Sequence, residues 1–596
     1  MKKAVLAVAV FVLAGVAGGF PALAQDSGGK QAKQTILRIG TTNELDSLNP
    51  FKALEAPSYE LFWLQYDLLV GFAEDDMGPV PDLAQSWETS KDELTWTYHL
   101  NPKATWQDGR PVTAEDVKYT YERILKEKQG LFIDYLSQID SIKTPDDHTL
   151  VIRTKTPSVQ MLSMWVPILP KHVWEKVPSS QTKTFDNEPT IGSGPFQVEE
   201  WSRGQFLKLK ANKEYFRGAP HVDGVIFQFY DNPDTMVQAL KRGEVDYITN
   251  IPAPLFRSLK GQQGITTLSS ASPGFTELGM NSYVPSPQAI KLGAPKTSKG
   301  NPALTDERVR QAINWAIDEN ALTDKILLGE GQVGSTIVPP TLARYHLVIP
   351  DSQLMGLDID RSKQLLAQAG FEDTNNDGYV DKGGKNLELR LFARSESSDT
   401  VKAAQLIQGW LKQAGVKVDV KPLSDNSLTD VIYETDYDMF IWGWGSDPDP
   451  DFIMSVLSCK QIMGWSDTFW CNKKYTQDYQ KQKTQLDLGQ RAQTIKEMQR
   501  IAYESSPYVV FFYDNQLEAF NSSKFVGWKR QPTGTGPVLF SYGPYSYLNV
   551  RLASASQATA GQSYAGLWIA LAALVVVLLV AAVFFVRRRS SREERA

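Results

Sequence analysis

The sequence predicts an α/β protein of more than one lobe, followed by a single C-terminal membrane helix. Three observations carry this reading. Between about Ile36 and Leu552, segments with the two-residue period of a half-buried strand are interleaved with segments of helical period. That stretch is too long for one ordinary hydrophobic core and long enough for two or three domains. Finally, Gly566 to Val586 runs for 21 residues without a charge, enough at about 1.5 Å per residue to cross the ~30 Å hydrocarbon core of a bilayer.

In chain order, residues 1–24 read as a secretory signal. Lys2 and Lys3 form a basic start, Ala4 to Ala17 an apolar run, and Ala22-Leu23-Ala24 an A-x-A cleavage site, so a mature chain is expected to begin near Gln25. Residues 25–35 look like a disordered leader. Strands are expected at 37–40, 94–100, 148–154, 206–211, 224–230 and 387–393. One helix opens at Thr113, with Asp116 placed to complete its cap and Val117, Tyr121 and Ile124 on one face. A second begins after Thr305, with Asp306 and Glu307 in its first turn and Val309, Ile313 and Ile317 at helical spacing. A third, 401–415, stops at Gly415 and hands over to a strand. Residues 553–565 read as a flexible stalk and 566–586 as the membrane span. The arginine-rich tail 587–596 is expected to stay in the cytoplasm, which gives a single-pass type I protein with its large domain outside.

The chain carries a formal charge of −6, and the part between signal and tail is more acidic still, because Lys2, Lys3 and the tail arginines lie outside it. This argues against nucleic acid or an anionic membrane surface as a target. Cys459 and Cys471, the only cysteines, are close in sequence and in an oxidising compartment, so a disulfide is expected. The five histidines, His99, His148, His172, His221 and His346, are scattered singly, and no H-E-x-x-H, G-x-S-x-G or G-x-x-x-x-G-K-[ST] motif occurs. GSGPF (192–196) lacks the spacing of a nucleophile elbow or phosphate loop and reads as a turn opening a strand at Phe196. In DTNNDGYVD, Asp373, Asn375, Asp377 and Asp381 could ligate calcium, although Gly384 stands where such a loop closes with glutamate; the alternative is an Asn/Asp/Gly turn into the strand at Leu387.

One stretch, IWGWGSDPDPDF (441–452), places Asp447, Asp449 and Asp451 behind Trp442 and Trp444. It offers no histidine or sulfur for a metal. Its meaning depends on five longer pieces: PDLAQSWETSKDELTWTYHLNPKATWQDGRPVTAEDVKYTYERI (81–124), IGSGPFQVEEWSRGQFLKLKANKEYFRGAPHVDGVIFQF (191–229), ALKRGEVDYI (239–248), LTDERVRQAINWAIDENAL (304–322) and AQLIQGWLKQAGVKVDV (404–420). In this order and at these spacings the chain resembles the large extracytoplasmic solute-binding proteins of ABC importers, the family-5 type that serves oligopeptides and dipeptides, over roughly residues 36–552.

The resemblance implies a two-lobed periplasmic-binding-protein-like fold with hinge-linked lobes. Lobe one would comprise 36–270, with an extra subdomain at about 85–190, and a return at 515–552; lobe two would be 271–514. Hinges fall near Ser272 to Met280 and near Phe512 to Asn515. Ligand would lie between lobes that close around it. The implied partners are a peptide and the ABC permease subunits in the membrane, themselves coupled to cytoplasmic ATPases; the chain is expected to be a monomer, with no enzymatic activity and no cofactor. In the peptide-binding branch an aspartate after a W-x-x pattern holds the ligand's α-ammonium. The matching position is Asp447, after Trp444-Gly445-Ser446, with Trp444 and Trp442 beside the ligand. Tyr513 at the second crossover is either a donor to ligand backbone or a buried hinge residue, and Asp449 and Asp451 cap the following helix or face solvent. Other readings are an oligosaccharide, nickel chelate or opine ligand on the same fold, an extracellular hydrolase, or an ectodomain without transport.

Overall fold

The computed structural model describes residues 34–553 other than 54, 129–131 and 396. Among these the main sheet has twelve strands. In one half, Ile36–Thr41 pairs in parallel with Gly224–Phe229 and with Tyr247–Ile248, and Phe206–Ala211 and Phe196–Ser202 extend the sheet antiparallel. Alternate residues of these strands, Leu37, Ile39, Leu207, Leu209, Val225 and Phe227, enter one core, as the two-residue period requires. In the other half, Gly274–Met280 lies between Met439–Gly445 and the long strand Tyr508–Asn521. Beyond them run Glu388–Arg394 and Lys417–Leu423, parallel to each other and joined through the helix Ser398–Gln413. That helix presents Ile407 and Leu411 to a core shared with Leu389, Leu391, Met439 and Ile441. Gly415 ends the connection at a φ of +85°, a left-handed conformation that a side chain would strain.

The strand Tyr508–Asn521 belongs to both halves. Phe512 pairs with Thr276 on one side, and Asn515 pairs with Ala271 on the other. The chain thus passes between the halves at two places, the Ser272-Pro273 turn and the stretch 512–515, and the architecture is the α/β two-lobed periplasmic-binding fold.

A separate antiparallel sheet contains Ala84–Thr89, Thr95–Leu100, Thr149–Thr154 and Ile139–Asp146, in that spatial order. The helix Ala114–Glu127 covers it, with Val117, Tyr121 and Ile124 packed in one cluster with Trp96, Tyr98, Leu150 and Ile152. Its first turn is fixed as the sequence suggests: the Thr113 N–H donates to Asp116 Oδ2 at 2.9 Å. This sheet also holds a segment that matters below, since the Tyr98 hydroxyl donates to the Met161 carbonyl at 2.7 Å. Two helix starts differ from expectation. The helix Glu307–Asn314 is capped by Asp306 rather than Thr305, whose hydroxyl instead donates to the Pro302 carbonyl. The helix Ser398–Gln413 begins before Val401, capped by Ser397, because its polar first turn carries no apolar period.

The membrane helix is removed from the fold class. Among the described residues no helix is long and apolar enough to cross a membrane. The longest, Leu488–Ser505, has 18 residues and carries Arg491, Lys496, Glu497, Arg500 and Glu504, charges that a hydrocarbon core excludes. The expected span over 566–586 and the basic tail lie outside the described residues, as do the signal and all but the ends of the leader and stalk, and the single-pass type I assignment is not retained.

Candidate functional site

The site is built on the end of the strand Met439–Gly445. Met439, Phe440 and Ile441 are buried and anchor it. It pairs along its whole length with Gly274–Met280 but with Glu388–Arg394 only at Met439 and Phe440. On that second edge the backbone from Ile441 to Gly445 has no strand partner among the described residues. It lines a cavity of about 410 Å³ together with Thr276, Arg394, Asp399 and Asp514.

Past the strand, Ser446 is clamped: its N–H donates to the Pro273 carbonyl at 2.6 Å, and its carbonyl accepts the Tyr542 hydroxyl at 2.8 Å. The alternating prolines then send three carboxylates in different directions. Asp449 is held by Arg491 through two hydrogen bonds, 2.5 and 2.6 Å, and accepts the Asp451 N–H that starts the next helix. Burial acts most strongly, to raise its pKa, but the Arg491 charge and the hydrogen bonds from Arg491, the Asp451 N–H and Ser163 together keep the carboxyl below its usual range. Asp451 is buried, bonded to Gln482 Nε2 at 2.6 Å and Gln160 Nε2 at 2.9 Å, with Lys483 Nζ at 3.7 Å. Solvent-facing roles for these two acids are therefore not observed.

Asp447 differs from both. Among the described residues it has no cationic partner, and its Oδ2 accepts the hydroxyl of Tyr135, 312 residues away in sequence. Burial, then the neighbouring charges of Asp449 and Asp451, push its pKa up to about 6, against the Tyr135 bond, which lowers it. Asp447 lines a cavity of about 220 Å³ with Tyr135, Gln160, Trp165, Phe452 and Trp465. Residues from the segment that carries the four-stranded sheet thus face residues 447–465 across this space. Aromatic contacts deepen the wall: Trp165 lies 4.8 Å from Tyr59 and 5.4 Å from Trp63, centroid to centroid.

A model of the bacterial extracellular solute-binding proteins, family 5, matches residues 78–464. The chain belongs to that family. The oligopeptide-binding protein AppA of Bacillus subtilis is 24% identical over 517 residues, covering 85% of this chain and 91% of AppA. Its solved structure, in complex with a nonapeptide, superposes with a TM-score of 0.68 at 23% identity, covering 87% of this chain and all of the other. NikZ from Campylobacter jejuni, solved in complex with Ni(L-His), gives a TM-score of 0.69 at 25% identity over 86% of this chain and 99% of NikZ.

The remaining expected residues of this family-5 protein are distributed as follows. Trp444 donates its indole N–H to Asp467 Oδ2 at 3.2 Å and meets Phe452 edge-on at 6.0 Å. Trp442 lies under the Arg394 guanidinium, 4.6 Å from its ring centroid. Both tryptophans line the larger cavity, not the one around Asp447. Tyr513 lines neither; its hydroxyl donates to the Thr336 carbonyl at 2.7 Å and accepts the Thr336 N–H at 2.9 Å, which ties the long strand to the 335–336 loop. Cys459 and Cys471 are joined in a disulfide that closes the loop carrying Trp465 and Asp467. In the 373–384 segment, Asp373 accepts the Asp377 and Gly378 N–H groups, Asn375 accepts the Asp377 N–H, and Asp381 binds Thr374 twice. Those oxygens are spent inside a turn with Asn376 and Gly378 at positive φ. Among the described residues no group of three or more His, Cys, Asp or Glu side chains is arranged to hold a metal.

Sequence reasoning missed Tyr135, Gln160, Trp165 and Arg491. Neither FIDY nor SVQML carries a motif or a period that marks a cleft wall.

Proposed function

We propose that this chain captures peptides outside the cytoplasm by closing two lobes around them and delivers them to an ABC permease for ATP-driven import, without an enzymatic step of its own. Lobe one comprises 36–270 and 515–552, lobe two 271–514, and closure turns on the two crossings near 272–280 and 512–515. A few torsions at such crossings move whole cores without repacking them.

The observation that carries this reading is Asp447, a half-buried carboxylate with no cationic partner among the described residues, facing a cavity between residues of both lobes. A buried charge needs a counterion and donors, and a peptide's amino terminus supplies one charge and three N–H groups. The Tyr135 hydroxyl then serves both the carboxylate and the incoming ammonium. The unpaired backbone edge from Ile441 to Gly445 supports the extended chain of a peptide in the manner of an added strand, with main-chain bonds indifferent to side-chain identity. Trp442 and Trp444, beside that edge, supply apolar surface.

The test is calorimetry with a short alanine-rich peptide, free at its amino terminus or N-acetylated, on the native chain and on Asp447→Asn. Leaving one partner of a buried pair unmatched costs on the order of 3 to 5 kcal/mol, which is roughly a hundredfold or more in Kd. The acetylated peptide should bind that much more weakly to the native chain, and Asp447→Asn should discriminate far less between the two. Equal affinities for both peptides on both proteins would remove Asp447 from this role.

A further inference from the structure

Glu277 lies at the middle of Gly274–Met280, the central strand of lobe two. Its register fixes its surroundings: Phe275 is opposite Trp444, Glu277 opposite Trp442, and Gly279 opposite Phe440 on one neighbour and Tyr508 on the other. Directly paired residues share a face of the sheet, so Glu277 rises between Trp444 and Tyr508 along its own strand. Asp467 spans that interval from above. Its Oδ2 accepts the Trp444 indole N–H at 3.2 Å and its Oδ1 accepts the Tyr508 hydroxyl. Trp444 and Tyr508 thus hold the Asp467 carboxyl on the face of the sheet that carries Glu277, near enough for its charge to act on Glu277.

Glu277 has no exposed surface, and neither of its oxygens has a hydrogen-bond partner among the described residues. A carboxyl group in that condition is costly to bury. The charges that act on it are Asp467, Asp514 and, more weakly, Arg394, and the Arg394 guanidinium is occupied with Asp425 and the Trp442 ring. A proton alone would neutralise Glu277 but leave its acceptor oxygens unserved. A hard metal ion needs more ligating oxygens than two side chains supply. The group that matches two carboxyls between indole and phenol faces is a donor-rich organic cation, held by charge-assisted hydrogen bonds and by the ring faces. Trp442, Trp444 and Asp467 are each partly exposed, and both tryptophans line the cavity of about 410 Å³.

We propose that Glu277 and Asp467 form the floor of a subsite that takes the cationic side chain of a bound peptide, an arginine guanidinium or a lysine ammonium. The inference rests on the peptide reading above and adds to it a preference for basic ligands.

Three alanine tripeptides carrying arginine at the first, second or third position, and the same three with citrulline, are titrated into the intact chain by calorimetry. Citrulline keeps the shape of arginine and removes the charge. At one position the arginine peptide should bind at least about tenfold more tightly than its citrulline counterpart, and Glu277→Gln should bring that ratio close to one. Asp467→Asn gives the same reading if Glu277→Gln does not fold. Equal affinity of arginine and citrulline at all three positions in the native chain overturns the subsite and leaves peptide capture standing. An arginine preference that survives both substitutions also overturns it. Failure of every peptide to bind, free amino termini included, overturns peptide capture and the subsite with it.

Discussion

Three aspartates at alternate positions of one proline-stiffened loop have three fates because each meets a different partner. Asp447 faces a cavity, Asp451 is taken by two glutamine amides, and Asp449 is neutralised by Arg491, whose side chain has no exposed surface. The last pair sets the shape of the loop. Arg491→Met keeps the volume and leaves Asp449 buried without its cation, so unfolding by urea should show a loss on the order of 3 to 5 kcal/mol. Adding Asp449→Asn should recover a good part of that loss, because the double variant no longer buries a charge. An Arg491→Met chain as stable as the native one would show that water already reaches Asp449. At this scale the sequence was only partly legible. Asp447 stood out through its W-x-x context, whereas Tyr135 and Gln160 acquire meaning only from contacts with Asp447 and Asp451 far along the chain. Glu277 was hidden too, since one acid in an apolar strand carries no sequence signal of being unpartnered.

Elements were easier to read than contacts, because their signals are local. The helix at Thr113 and the strands at Ile36, Phe206 and Gly224 follow their apolar periods closely. What periodicity could not give was the sharing of one long strand by both lobes, which depends on pairings between residues more than two hundred positions apart. The loop closed by Cys459 and Cys471 is an element without a period, and the disulfide compensates for that. It holds Trp465 at the cavity around Asp447 and Asp467 beneath Trp444. Replacing both cysteines by serine frees a loop whose closure is worth about 2 to 4 kcal/mol in the unfolded chain. The variant should unfold at lower denaturant and bind a free-amino peptide more weakly than the native chain. A variant with lowered stability and unchanged affinity would show that the loop's position does not depend on the covalent link.

For the whole molecule, the distribution of buried acids predicts how stability responds to pH. Burial pushes Glu60 and Glu518 up to about 7 and Glu319 up to about 8, and it pushes Asp447, Asp467 and Asp514 up to about 6. In the unfolded chain these carboxyls titrate near 4. Each group is thus more easily protonated folded than unfolded, so its contribution is fully favourable below about pH 4 and is lost as pH rises through its folded value, from about 6 to 8. Acids whose pKa is depressed, such as Asp223 beside Thr35 and Lys213, act in the opposite sense, but their contribution is lost only as pH falls below about 4. Between about pH 5 and pH 8 the raised groups dominate, and the ligand-free chain should melt at a higher temperature at about pH 5 than at about pH 8. Glu319→Gln, at a buried site away from both cavities, should flatten the upper part of that slope. Saturating free-amino peptide should flatten the lower part, because an ammonium beside Asp447 favours its charged form and removes its preference for the proton. A melting temperature that rises steadily from about pH 5 to pH 8 without ligand would mean that these carboxyls are hydrated in solution, and the desolvation that makes Asp447 need a peptide's amino terminus would be gone with it.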